Sequence, residues 1–195
     1  MIASIFTLDT KALRTLGSID DYTIHRLVYD IFPGKERTFL YYQYPYMIRG
    51  GTRILLLSKE QPKVPNLGTI TSKQVPASFL ERDYYGFKVR LNPVIRSRNQ
   101  ARSIIGKEEL ISWFLSKQEQ WGFYTDSARL ELSSIGVTEI QKGDNTLIFN
   151  ECTFSGILHV EEKSLFIKSF TEGIGRGKGF GFGLLQLQPI NEIIF

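Results

Sequence analysis

The sequence predicts an α+β protein built as two sheet-and-helix sandwiches in tandem, and three observations carry that prediction. The 195 residues, 42% of them apolar, suffice for one ordinary domain or two small ones. The first half runs strand, helix, strand, strand, and the second half follows loosely the same plan. Apolar residues recur at either a strand or a helix period between clear turn signals. The repeated order of elements has no matching repeat in the residues themselves.

Residues 1–8 read as a strand. Asp20 or Asp21 can accept the unpaired N–H groups of a helix start, and that helix runs to about residue 32, where Pro33-Gly34 stops it. Residues 38–47 and 52–58 are rich in aromatic, β-branched and aliphatic side chains, with Arg49-Gly50-Gly51 between them, the pattern of a hairpin. Residues 59–76 are polar and contain prolines, so they read as irregular with one short strand. Residues 85–91 alternate: Phe87, Val89 and Leu91 on one face, Lys88 and Arg90 on the other, with Asn92-Pro93 ending the run.

In the second half, residues 107–121 read as a helix that sends Leu110, Ile111, Phe114 and Leu115 to a core. Strands over 130–140 and 146–160 are joined by a turn at Lys142-Gly143-Asp144-Asn145. A short helix over 163–171, a glycine-rich loop and a strand over 184–188 complete the chain. The expected division is a first domain over 1–92, a basic linker over 93–106 and a second domain over 107–195.

Composition excludes several classes. Lys and Arg number 24 against 20 for Asp and Glu, a net charge of +4, so the distribution of charge matters more than its total. The single cysteine, Cys152, rules out an internal disulfide framework and suits a reducing cytoplasm, the expected location. No long uncharged apolar stretch predicts a membrane span, and no basic-then-apolar leader opens the sequence. Two histidines and one cysteine, without an acidic cluster at ligand spacing, make a built-in metal site improbable, and no cofactor is expected.

The most informative stretch is 173–185. Six glycines, Gly173, Gly175, Gly177, Gly179, Gly181 and Gly183, alternate with single residues, two of them cationic. Backbone without Cβ atoms can approach a polyanion closely, while Arg176 and Lys178 supply the opposite charge. The run lacks the spacing of a Walker loop and of a dinucleotide fingerprint, which leaves a loop suited to phosphates of another kind. A second basic footprint runs from 84 to 107: Lys88, Arg90, Arg96, Arg98, Arg102 and Lys107, with no acid after Asp83 to interrupt them. Each taken singly also reads as a turn or a solvated loop; together they point towards nucleic acid.

The first helix offers a candidate reactive pair. At 100° per residue Ile24, Leu27, Val28 and Ile31 form an apolar stripe, while Tyr22, His25, Arg26 and Tyr29 gather on the other, exposed face. A proton-transfer group, a phenol and a cation therefore share one surface. His159, in a strand beside Glu161, reads as structural.

Three segments resemble the CasE family, the CRISPR repeat-processing endoribonucleases of the type I-E Cascade complex: Tyr22-Thr23-Ile24-His25-Arg26, Val89-Arg90-Leu91-Asn92-Pro93, and the glycine loop. The family patterns are Tyr-x-x-His, Arg-Leu-x-Asn-Pro followed by basic residues, and Gly-Ile/Val-Gly-x-Gly/Ala-Lys-x-x-Gly-x-Gly-Leu-Leu, and the last is met here at every defined position. Many members read Arg-Leu-Arg-Ala-Asn-Pro where this chain has Lys88-Val89-Arg90-Leu91-Asn92-Pro93. The resemblance implies two tandem ferredoxin-like (RRM-like) domains that bind the repeat hairpin of precursor CRISPR RNA. It implies His25 and Tyr22 at the scissile bond, with Lys142 near a catalytic lysine of some relatives. It also implies RNA contacts from Arg26, Lys88, Arg90, Arg96, Arg98, Arg102, Lys107, Gly175, Arg176, Gly177 and Lys178, and other Cascade subunits as partners. The competing readings are a guide-RNA-holding subunit that does not cut and a small-molecule phosphate binder on the same sandwich.

Overall fold

The structure, a computed structural model, describes residues 1–17, 20–32, 34, 36–45, 51–97, 100–104 and 106–190; the side chains of 95–97, 100–103 and 142 lie outside the description. Its elements run β1 (Ile2–Leu8), α1 (Thr10–Leu16), α2 (Asp21–Asp30), β2 (Phe39–Gln43), β3 (Thr52–Ser58) and β4 (Thr69–Gln74). There follow β5 (Tyr84–Leu91), β6 (Val94–Ser97), β7 (Gln100–Ser103), α3 (Lys107–Leu115) and α4 (Gln118–Trp121). The chain closes with β8 (Phe123–Tyr124), β9 (Leu130–Lys142), β10 (Asn145–Val160), α5 (Lys163–Glu172) and β11 (Gln186–Pro189).

The first sheet is antiparallel in the order β2-β3-β1-β4. The second runs β11-β5-β10-β8, with β9 paired along the rest of β10. In both, the first strand of the unit lies between its last and third strands, which is the ferredoxin-like order. The first unit has irregular chain over 59–68 where a second helix would stand.

The local chemistry explains the elements. Asp20 caps α2, its carboxylate accepting the Thr23 N–H at 2.7 Å, and bonds from Thr23 hold its pKa below the usual carboxylate range. Ile24, Val28 and Ile31 then fall on one side and pack with Phe6, Leu8, Phe39, Tyr41, Ile54 and Leu56 in the first core. A second core gathers Tyr85, Phe87, Val89, Leu91, Leu110, Phe114, Phe123, Phe154 and Phe166 under α3 and α5. Leu40, Tyr42 and Leu57, on the face of the first sheet away from α2, meet Phe170 and Leu184 in a third cluster that joins the halves.

Three expectations need correction. The strand β5 belongs to the second sheet, so a division at residue 92 does not follow the strand pairing. Alternation identifies which β5 side chains are buried but not which sheet buries them. The short helix α1, capped by Asp9 through the Ala12 N–H, was not expected. The helix expected over 107–121 breaks at Ser116-Lys117, where Gln118 turns back to donate to the Leu115 carbonyl at 3.2 Å and its amide oxygen accepts the Thr125 N–H. The expected hairpin of residues 38–58 forms as β2 and β3, and its tip at 46–50 lies outside the described residues. Among the described residues no helix is long and apolar enough to cross a membrane.

Candidate active site between the two halves

The glycine loop leaves α5 and crosses to α2 before entering β11. Its ends are tied together: the Ile174 N–H donates to the Gly183 carbonyl at 2.9 Å, and the Gly183 N–H donates to the Arg90 carbonyl at 2.8 Å. At Gly183, where φ is +81°, a Cβ would stand 2.2 Å from the Ile174 carbonyl oxygen, so only glycine lets the loop close on itself. Between these ties the loop presents Phe180 to α2.

His25 receives it. The imidazole and the Phe180 ring are stacked at 4.5 Å, 14° apart, with the Tyr29 ring 4.3 Å away on the same helix. Nδ1 of His25 lies 2.8 Å from the Gly179 carbonyl oxygen. A carbonyl can only accept, so Nδ1 carries hydrogen and Nε2 is the nitrogen whose protonation changes. Tyr22 stacks one turn away, its ring 5.8 Å from the imidazole. The face that helical periodicity assigns to solvent is therefore covered in part by the loop: Tyr22, His25 and Tyr29 are half-buried, and only Arg26 is exposed. Periodicity sees one helix and cannot see a loop arriving from 154 residues later.

Behind this face lies an aromatic column. Phe149 of β10 packs on Phe180 at 5.1 Å and on Phe182 at 5.3 Å, and the Arg90 guanidinium sits 4.5 Å over the Phe182 ring. Nη2 of Arg90 is 2.5 Å from a Glu151 carboxylate oxygen and 3.1 Å from the Thr138 hydroxyl, which itself donates to Glu151 at 2.7 Å. The Arg90 side chain is only 13% exposed. Asp21, at the start of α2, has its acidity weakened by burial, an effect that Arg90 opposes and Glu151 reinforces.

The other expected site residues are spread more widely. Lys178 is half-buried in the loop, and burial, aided by the nearby Arg37, lowers its pKa. Arg176 is exposed beside Gly175, and Gly177 lies half-buried against Phe182 and Phe149. Lys88, exposed on β5, holds its ammonium 5.9 Å from the Tyr42 ring, and Lys107 is exposed at the start of α3. Arg96 and Arg102 belong to the β6–β7 hairpin, in adjacent pairs with Ala101 and Ile95. Arg98 lies outside the described residues, as does the side chain of Lys142, the last residue of β9. His159 is an ordinary surface group, its Nδ1 2.9 Å from Glu161 and its ring 4.6 Å from Tyr84. Among the described residues no cluster of His, Cys, Asp and Glu could hold a metal ion.

The structure thus brings His25, Tyr22 and the glycine loop together, leaves Arg26 exposed on the same helix, places Arg90 beneath them, and sets the β6–β7 cations on a separate hairpin. Phe180, Phe149, Glu151 and Thr138 were not anticipated. Their only sequence signal is the Phe-between-glycines pattern of 180 and 182.

Comparison with known proteins bears on the fold and the family. The chain is 26% identical over 194 residues to the CRISPR system Cascade subunit CasE of Escherichia coli (strain K12), across 89% of this chain and 94% of that one. It superposes on the CRISPR endoribonuclease Cse3 bound to a 19-nucleotide RNA with a TM-score of 0.81 and 20% identity, covering 97% of this chain and all of that one. For the Thermus thermophilus Cse3 bound to an RNA representing a pre-cleavage complex, the TM-score is 0.80 at 19% identity, over 96% of this chain and 98% of that one. The model of the family described as "CRISPR associated protein" matches residues 1–189, and the chain belongs to that family.

Proposed function

We propose that the protein is a CRISPR RNA-processing endoribonuclease that cleaves the repeat stem-loop of precursor CRISPR RNA without a metal ion and remains with its product as a subunit of a Cascade complex. The observation that carries this reading is His25, whose Nδ1 is fixed by the Gly179 carbonyl beside Tyr22 at the edge of a cationic glycine loop. RNA brings its own nucleophile. The 2′-hydroxyl attacks the adjacent phosphorus, its proton passes to a base, and the 5′-oxygen of the next nucleotide leaves with a proton. The products are a 2′,3′-cyclic phosphate and a 5′-hydroxyl.

The protein need then align the sugar, move protons and offset the charge on the phosphorane. Nε2 of His25 is suited to proton transfer, and Tyr22 to orienting the same groups or sharing that task. Arg26, Lys178 and Lys142 are the cations within the design that can offset the developing charge. The β6–β7 hairpin carries Arg96 and Arg102 as the natural contact to the stem, read by shape and phosphate position.

The test is cleavage of the cognate repeat RNA in EDTA, beside the same RNA with a single 2′-deoxy at the scissile nucleotide. Cutting of the first and sparing of the second is expected. Binding of both without cutting would leave a guide-RNA-holding subunit in its place.

A further inference from the structure

On the other side of the glycine loop lies a cleft of about 730 Å³, lined among others by Asn92, Trp113, Lys117, Gln120, Trp121 and Arg176. We propose that this cleft binds an unpaired nucleotide of the RNA flanking the hairpin, an inference that rests on the ribonuclease reading above.

The chemistry of the walls favours that occupant. Single-stranded nucleic acid is held by flat apolar faces for the bases and cations for the phosphates. The sequence has two tryptophans, and both line this cleft. Trp121 is 7% exposed and packs edge-on against Trp113 at 6.2 Å and against Phe114 at 5.2 Å, so the half-buried Trp113 is held from behind as a rigid surface. Lys117 and the exposed Arg176 bring two positive charges to the rim, against one carboxylate from Glu109. Asn92 accepts the Asn150 N–H at 3.2 Å through its oxygen, which fixes the amide and leaves its NH₂ as the end with donors to offer. The volume lies within the range of about 300–1,000 Å³ usual for small organic ligands.

Position ties the cleft to the same RNA. Gly175 and Arg176 form one wall, while Gly179 and Phe180, a few residues further along, touch His25. Three residues of chain span at most about 11 Å, so a base in the cleft is a near neighbour of the scissile phosphate. Asn92 and Val94, where the β6–β7 hairpin leaves the second sheet, form another part of the lining. A strand leaving a stem held by that hairpin passes this opening.

Both tryptophans lie in the cleft, so intrinsic emission reports its occupancy directly. The full-length protein is titrated with a repeat hairpin and with the same hairpin carrying a short unpaired extension at its 5′ or 3′ end, while anisotropy of a label on the RNA follows binding. One extended RNA should quench the emission and bind about tenfold tighter than the bare hairpin, the effect of roughly one stacked base. Lys117→Glu and the cleft-filling Ser112→Phe, both distant from His25 along the chain, should abolish that advantage while 2′-OH-dependent cutting of the bare hairpin continues. Equal emission and equal affinity for all the RNAs overturns the inference and leaves the ribonuclease reading intact; a peptide-binding role for the cleft would give this result. Absence of hairpin binding and cutting would instead sink both.

Discussion

The imidazole of His25 and the carbonyl of Gly179 meet at 2.8 Å although 154 residues separate them, and Phe180 stacks on the same ring at 4.5 Å. The glycine loop therefore orients the histidine. A Cβ at Gly179 would come 3.0 Å from the Tyr29 hydroxyl, close enough to displace that phenol by a few tenths of an ångström or to push the loop away from His25. Gly179→Ala should fold and bind hairpin RNA within about twofold of the parent but cut it at least about tenfold more slowly, since misorientation of a general acid or base costs rate before it costs affinity. Single-turnover cleavage beside equilibrium binding measures both. Unchanged cleavage would remove the orienting role from the loop.

Removing the imidazole tests the assignment itself. His25→Ala should lower single-turnover cleavage by about 10²- to 10⁴-fold, the usual contribution of a positioned acid–base group. Tyr22→Phe keeps the stacked ring and loses only the hydroxyl, so its deficit measures the phenol alone and should be smaller. Lys142→Ala, whose residue ends β9, should reduce the rate without changing RNA affinity if its ammonium reaches the phosphorane.

Much of this was legible in the residues. An aspartate cap for α2 at Asp20 or Asp21, the apolar stripe of Ile24, Val28 and Ile31, and the turn at Gly143-Asp144 depend on local chemistry, and local chemistry is written in order along the chain. What escaped depends on contacts between distant segments. β5 has the same alternation whichever sheet it joins, and only its pairing with β10 and β11 decides the matter. The surface of α2 looked open because nothing in residues 20–32 signals that Phe180 will cover it. Arg90 looked like one more cation in a basic run, since Glu151 and Thr138 reach it from 61 and 48 residues away.

Cys152 offers a check on the second core. It is fully buried between Leu91 and the surrounding apolar side chains, and burial, with a smaller push from Glu151, drives its thiol pKa up to about 12. The thiolate is the reactive form, so native protein should resist a disulfide reagent at pH 8 and react only as fast as the second half opens. Rapid labelling of the folded protein would mean that β5 and β10 separate readily.

Lys178 sets binding against stability. Burial, then Arg37, lowers its pKa from the usual 10.5, so the folded protein holds this ammonium at a cost. Below the lowered value the group is protonated in both states and the full cost applies. Between that value and 10.5 the unfolded chain binds the extra proton, so this contribution to stability recovers as pH rises. Lys178→Met should therefore raise the melting temperature at neutral pH, with the gain shrinking as pH approaches 10.5, and should weaken hairpin binding with a shallower salt dependence. A gain that stays constant to high pH would assign the effect to packing.

Arg90 divides two roles that the sequence could not separate, contact with RNA and support of the site. Its guanidinium is 13% exposed, shares Glu151 with the Thr138 hydroxyl, and lies over Phe182, which packs through Phe149 to Phe180 and so to His25. Glu151→Gln leaves the cation without its counterion and should cost about 2–3 kcal/mol in urea unfolding, below the full loss for a wholly buried pair because both groups retain some solvent. Arg90→Ala should cost a similar amount, and the double variant less than the sum, since the two changes remove one interaction. Cleavage should fall in all three, while Arg90→Ala should preserve the salt dependence of RNA binding, because in the parent the guanidinium is already neutralised by Glu151 and has no phosphate counterions to release. An Arg90→Ala protein that unfolds at the parent's urea concentration but loses one unit of salt slope would identify Arg90 as a phosphate contact instead.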